Sequence, residues 1–314
     1  MKNFKSLASR ITPLGFMLAC SVALALDDRV ESLQQPAWVN GSGERSAAFP
    51  GQMLQQGDHV TTGDSGKIWL NLAEGSRVKL GNNASMKLDI RGVSSASTRT
   101  ATDTANTGDN NRREESVYEA ALDVLKGAFR FTTTELGKRL QRNLTIQAGP
   151  VATIGIRGTD VWGRVDAQSS FVALIEGNIA ITRYDGSTLS LDRPLTVFQA
   201  STQDRRGGTQ QVNLSDVQKL APETELDGGQ GVLVEDGPYS VHLLSLRSRA
   251  AAEASKLALR KNGYAASQSS ATVGSETWHR VSINGFASLE DAQSFSQQAL
   301  TRELSESPWV ANNR

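Results

Sequence analysis

The sequence predicts a mixed architecture: an all-β domain, either a sandwich or a wrapped β-sheet, followed by a smaller α+β domain of βαββαβ order. Three observations carry this expectation. Between Trp38 and Phe198, short apolar runs alternate with period two and are separated by Gly, Asn and Asp turn signals. From 199 to 236 polar, glycine-rich text replaces them. From 237 to 314 the hydrophobic period switches between that of a strand and that of a helix. A chain of 314 residues is long enough for two modest domains.

Residues 1–25 read as an export signal. Lys2, Lys5 and Arg10 give a basic start, Ile11 to Leu26 is mostly apolar, and Ala23-Leu24-Ala25 offers the small residues a signal peptidase reads. Pro13 interrupts the run, which falls short of the roughly 20 apolar residues of a spanning helix. The single cysteine, Cys20, lies inside this segment. Met17-Leu18-Ala19-Cys20 is a poor lipid-attachment box, so a lipid anchor there is the lesser alternative. Cleavage near Ala25 leaves a chain without disulfide, thiolate metal ligand or thiol nucleophile.

Within 38–198 the strand signals include Lys67 to Leu72, Arg77 to Leu80, Met86 to Ile90, Ala128 to Phe131, Leu144 to Ile146, Phe171 to Ile175 and Ile179 to Ile181. Alternation gives each strand one buried and one solvated face. Residues 92–115 are Ser, Thr, Asn, Asp and Arg with almost nothing to bury, which predicts a polar insertion. Residues 199–236 predict a linker with a short helical turn around Val217 to Leu220.

In 237–314, Tyr239 to Leu246 alternates as a strand. Arg249 to Lys261 follows as a helix with Ala250, Ala254, Leu257 and Ala258 on its apolar face, stopping at Asn262-Gly263. Tyr264 to Val273 and Trp278 to Ile283 are strands. Ser288 caps a second helix with Asp291 three residues on, and Ala292, Phe295, Ala299 and Leu304 are its expected buried residues. Pro308 blocks further helix and opens a last strand at Trp309-Val310. This order is that of the ferredoxin-like split βαβ arrangement, with both helices on one face of a four-stranded sheet.

This segment resembles a SPOR domain. The pieces are Tyr239-Ser240-Val241-His242-Leu243-Leu244-Ser245-Leu246, then Trp278-His279-Arg280-Val281-Ser282-Ile283-Asn284-Gly285-Phe286, then Asp291-Ala292. The resemblance implies binding of peptidoglycan glycan strands denuded of stem peptides, on the open face of the sheet, with His242, Ser245, Trp278 and Arg280 as the contact residues. Trp278 and Arg280 are two apart on one strand and so share a face. An indole suits the apolar face of a sugar, and Arg, Ser and His supply hydrogen bonds to hydroxyls and acetamides. The bland reading packs Trp278 in the core and leaves Arg280 a solvated strand residue. His242 has the parity of Leu244 and Leu246, not of Ser245, unless a bend intervenes. His242 also stands where the family commonly has Gln, and Leu244 where it has Gly, a bulk expected to narrow the surface.

The β domain has its own resemblance. Ala148-Gly149-Pro150-Val151-Ala152-Thr153-Ile154-Gly155-Ile156-Arg157-Gly158-Thr159-Asp160 resembles the core motif of FecR-type domains, supported by Gly57-Asp58-x-Val60-x-Thr62-Gly63, Ala73-Glu74-Gly75-Ser76 and Leu174-Ile175-Glu176-Gly177. Gly155 and Gly158 are expected to permit close backbone approach, and Arg157 to anchor carbonyls or a carboxylate. Taken with the signal, these resemblances imply the periplasm or cell envelope of a Gram-negative bacterium and an envelope protein partner or scaffold role for the β domain. A periplasmic signalling regulator working through a membrane partner is the alternative.

Lys plus Arg and Asp plus Glu each count 33, and this balance gives no footprint for nucleic acid. The three histidines, His59, His242 and His279, do not form a metal-ligand spacing, and no nucleophile elbow, P-loop or dinucleotide fingerprint stands in a suitable setting. Pairs such as Asp58 with His59 or Glu176 with Asp185 read as solvated surface groups rather than as facing acid and base. The expectation is a non-catalytic protein without cofactor.

Overall fold

The computed structural model describes residues 27–41, 45–95, 116–135, 137–139, 142–149 and 152–313. The expected signal at 1–25, and all of the expected insertion at 92–115 except its first four residues, lie outside the described residues. The described residues are mostly β-sheet with few helices. Its strands are β1 (Arg29–Gln34), β2 (Ala37–Asn40), β3 (Ser46–Ala47), β4 (His59–Thr62), β5 (Lys67–Asn71), β6 (Ser76–Leu80), β7 (Ser85–Ser95), β8 (Ser116–Thr133), β9 (Arg142–Ala148), β10 (Ala152–Val165), β11 (Ser169–Arg183), β12 (Thr188–Leu191), β13 (Thr196–Ser201), β14 (Gly208–Gln211), β15 (Val232–Val234), β16 (Tyr239–Leu246), β17 (Ala266–Val273), β18 (Glu276–Phe286) and β19 (Trp309–Asn312). The helices are α1 (Leu214–Gln218), α2 (Arg249–Lys261) and α3 (Leu289–Thr301).

Period-two patterning produces two hydrogen-bonded series of strands in the first part. One runs β1, β5, β6, the second half of β8, the second half of β10, the first half of β11, β13, β14. The other runs β3, β2, β4, β7, then the first half of β8, all of β9, the first half of β10, the second half of β11, and β12. The long strands β8, β10 and β11 therefore belong to both series and wrap them around one core that includes Phe129, Phe131, Ile146, Ile154, Val161 and Phe198. Phe171 to Ile175 and Ile179 to Ile181, expected as separate runs, are one strand. The corner falls at Gly158 and Gly177, which have φ of 68° and 83°, and a Cβ on Gly177 would lie 2.3 Å from the Gly158 carbonyl oxygen. Only glycine fits that approach. Gly155 does not share the role, since its nearest neighbour would sit at an ordinary 3.7 Å.

Arg157 is exposed, not an anchor. The anchoring arginine is Arg142, whose guanidinium meets Glu74 Oε2 at 2.9 Å, Ser76 Oγ at 3.0 Å and Thr133 Oγ1 at 2.7 Å. Both charged side chains are almost wholly removed from water, so each depends on the other for compensation.

The stretch expected as a linker is folded. β14, α1, a 3₁₀ turn at Ala221–Glu223 and β15 all lie within 199–236. Residues 222–227 cross the polar face of the first series of strands: Lys67 Nζ donates to the carbonyls of Pro222 (2.8 Å) and Glu225 (2.7 Å) and to Asp227 Oδ2 (2.9 Å). Trp69 Nε1 donates to the Thr224 carbonyl, and Lys79 pairs with Glu225 at 2.6 Å. The acidic text that looked like solvated linker is complementary to a basic strand face.

β15 then joins the two parts. It pairs antiparallel with β1, and its Leu233 is the register partner of Phe286 at the end of β18. Around it, Trp38 Nε1 donates to the Lys261 carbonyl at 2.9 Å, Ala37 N to the Gly263 carbonyl at 3.1 Å, and Ala265 N to Gln35 Oε1 at 2.6 Å. Gly263 has φ of 85°, and a Cβ there would meet the Trp38 indole at 2.6 Å.

In the C-terminal part α3 follows its expected pattern: Ser288 caps it by accepting from Asp291 N, and Ala292, Phe295 and Ala299 are buried. α2 has the expected ends but buries the opposite face. Ala252 and Leu259 are buried, whereas Ala250, Ala254, Leu257 and Ala258 are exposed. Alanine exposes little apolar surface, so an alanine-defined face is a weak guide to burial.

Glu74→Gln removes the charge that compensates Arg142 in the core. It is expected to lower stability by about 3–5 kcal/mol. Urea unfolding of the variant beside the wild type measures this, and an unchanged midpoint would show the pair to be energetically idle.

Candidate functional site

The C-terminal strands are hydrogen-bonded in the order β17, β18, β16, β19, all antiparallel. α2 and α3 pack against this sheet, over Val241, Leu243, Val281 and Ile283. Residues of the opposite parity form the other face, with Trp278, Arg280 and Ser282 along β18. Beside Arg280, β17 contributes Ser269 and β16 contributes Ser245.

A β-bulge resolves the parity conflict in β16. The register steps from His242 opposite Ser282 to Leu244 opposite Val281, leaving Leu243 as the extra residue. An extra residue reverses the facing of all that follows. Ser245 thus falls opposite Arg280 and on the same face as His242. Leu244 turns to the helix side and packs on the core, so it does not narrow the open face as its bulk had suggested. The bulge brings all four expected residues to one surface.

Trp309 of β19, expected from the sequence only as the start of a strand, is a fifth member. Its ring stacks on the His242 imidazole with centroids 4.7 Å apart and planes 16° apart, and the Arg280 guanidinium lies 5.9 Å from the Trp309 ring. Only the pairing of the last strand beside the first brings these rings together. The signal that could have found it is Pro308-Trp309 opening the edge strand of the predicted topology. At the other end, the Arg247 guanidinium lies 5.1 Å from the Trp278 ring and pairs with Glu276 at 2.9 Å. Trp278 is half-buried and outside the core.

The face has unused hydrogen-bonding capacity. Arg280 Nε and His242 Nδ1 are both shielded from solvent and have no partner among the described residues. Such groups are costly unless something satisfies them. Further along the face, Ser282 Oγ donates to Asn284 Oδ1 at 3.0 Å, and Asn284 Nδ2 donates to Ser267 Oγ at 2.7 Å. Among the described residues no three His, Cys, Asp or Glu side chains gather as a metal site. The arrangement sets stacking rings beside neutral and cationic hydrogen-bond donors.

Partial burial, and then the neighbouring Arg280 charge, hold His242 below its ordinary value of 6.5. Between the lowered native value and 6.5 the unfolded chain binds more proton than the folded one. Stability from this group is therefore complete above 6.5 and is lost as pH falls through the native value. NMR titration of His242 should give a midpoint below 6.5 that moves upward in Arg280→Gln. An unmoved midpoint would remove Arg280 as a cause.

Among the described residues no helix is long and apolar enough to cross a membrane. No curated protein matches the sequence significantly. Two solved structures, each of a candidate anti-sigma factor from Parabacteroides distasonis, resemble parts of the chain. One is 11% identical with a TM-score of 0.36, covering 57% of this chain and 68% of its own. The other is 9% identical with a TM-score of 0.37, covering 78% and 90%. At that level neither defines the fold of this chain. The family models are more informative: SPOR domains bind peptidoglycan, and both matched domain types are associated with the cell envelope. Residues 58–180 match the FecR protein family and residues 235–311 match the SPOR domain, so the chain joins a FecR-type region to a C-terminal SPOR domain.

Proposed function

We propose that this is a non-catalytic envelope protein that docks on denuded peptidoglycan glycan strands through the open face of its C-terminal sheet, while the FecR-type region serves an envelope protein partner or scaffold. The observation that carries the reading is the bulge at Leu243. It sets His242 and Ser245 beside Arg280 and Trp278, and two of these residues hold shielded nitrogen atoms without partners among the described residues. The ferredoxin-like reading of the C-terminal part is supported by the strand order and by helices packed against the sheet. In this reading the functional unit starts before 237, because Gly231 N and Val232 N donate to the buried Asp291 carboxylate at 3.1 and 3.0 Å.

A sugar ring would lie against Trp278 or Trp309, with Arg280, Ser245 and His242 donating to hydroxyl and acetamide oxygens. Export by residues 1–25 into the periplasm completes the proposal. A second reading, a FecR-type signalling regulator acting through a membrane partner, is favoured by the FecR match across 58–180. Regulation of that kind requires attachment to the membrane, so recovery of the protein solely in the soluble periplasmic fraction would count against it.

The full chain should be retained by purified sacculi, and more strongly after an amidase has removed the stem peptides. Trp278→Ala should cost about 2 kcal/mol, roughly thirtyfold in affinity, as for a central aromatic anchor. Co-sedimentation reads both effects. Equal retention of wild type and variant would sink the proposed face.

A further inference from the structure

Trp278, Arg280, Ser282 and Asn284 alternate along one side of β18, a row of about 20 Å at strand spacing in which Ser282 is itself buried and Asn284 is the exposed group beyond it. The row does not end at the edge of the C-terminal sheet. Asn284 and its partner Ser267 line a cleft of about 580 Å³ whose far wall is Ala47, Phe49 and Pro50. Those three residues precede both family matches. Phe49 is 48% exposed although its neighbour Ala48 is fully buried, so the loop holds the ring at the surface from a fixed base. Charges around the cleft are balanced: Glu235 pairs with Arg29 at 3.2 Å, and Asp236 and Arg260 also line the walls.

We infer that this cleft is an additional sugar subsite, in which Phe49 stacks on one ring of a glycan strand that continues off the C-terminal sheet onto the first part of the chain. The inference rests on the proposed glycan-binding face and extends it. An aromatic ring facing amide and hydroxyl groups is the arrangement that grips a pyranose, apolar on one side and hydrogen-bonded on the other. The balanced charge favours the uncharged N-acetyl sugar of the strand over one bearing a carboxylate. The junction around Leu233 and Phe286 fixes the cleft walls relative to the row, so the subsite is preformed.

The consequence is a preference for chain length. Binding of a denuded tetrasaccharide and of a denuded octasaccharide to the full-length protein, followed by calorimetry, tests it. Wild type should bind the octasaccharide more tightly. Phe49→Ala should weaken the octasaccharide about tenfold and leave the tetrasaccharide unchanged, and Phe49→Trp should keep the preference. Trp278→Ala should weaken both ligands. If wild type binds both lengths equally, or Phe49→Ala behaves as wild type while Trp278→Ala is impaired, the subsite is overturned and the sheet face stands. If Trp278→Ala leaves both ligands unaffected, the face itself fails and the subsite with it.

Discussion

Val232, Leu233 and Val234 pair with β1 on one side, and Leu233 meets Phe286 on the other, so one three-residue strand joins the first series of strands to the C-terminal sheet. A strand that short has no stability of its own. It persists because its polar groups are satisfied from both parts: β1 pairs with it from the first, while in the second Asp291 accepts from Val232 N and the Val232 carbonyl accepts from Ala287 N at 3.0 Å. Leu233 and Phe286 are both fully buried. Exposing either would uncover apolar surface on both sides, and that coupling gives the junction cleft and the open sheet face a set relation.

The elements that were legible in the sequence are those whose signal is local. β16 and α2 begin and end where periodicity and Asn262-Gly263 place them, and the Ser288 cap of α3 is where its spacing puts it. What was hidden depends on partners far along the chain. The acidic run at 222–227 reads as solvated because the sequence does not show Lys67, Trp69 and Lys79 about 150 residues earlier, waiting on one strand face. The bulge at Leu243 is equally silent, since one extra residue in eight hardly disturbs an alternating pattern. Without it the parity of His242 and Ser245 argues against a common face. Trp309 was visible as a residue but its stacking partner was not, because edge pairing is fixed only by the assembled sheet.

Two kinds of arginine stand out among the described residues. Arg142 is enclosed by Glu74, Ser76 and Thr133, and Arg130 makes two bonds to Asp160 at 3.0 and 2.7 Å with a third to Glu225. These are structural groups whose donors are spent within the fold. Arg280 differs, with a shielded Nε that no described residue accepts from and an aromatic ring where a carboxylate would stand. Arg183 also has a shielded Nε without an acceptor among the described residues, so what sets Arg280 apart is its place on the open face of the C-terminal sheet.

The Trp38 and Gly263 contact has a mechanical side. The indole fills the space that any side chain at 263 would need, its N–H is tied to the Lys261 carbonyl, and the neighbouring Ala37 amide grips Gly263. Seen this way the joint behaves as a bracket rather than a tether. Groups held on the open sheet face and on the β domain would keep a constant angle to each other, so the joint would transmit direction as well as proximity.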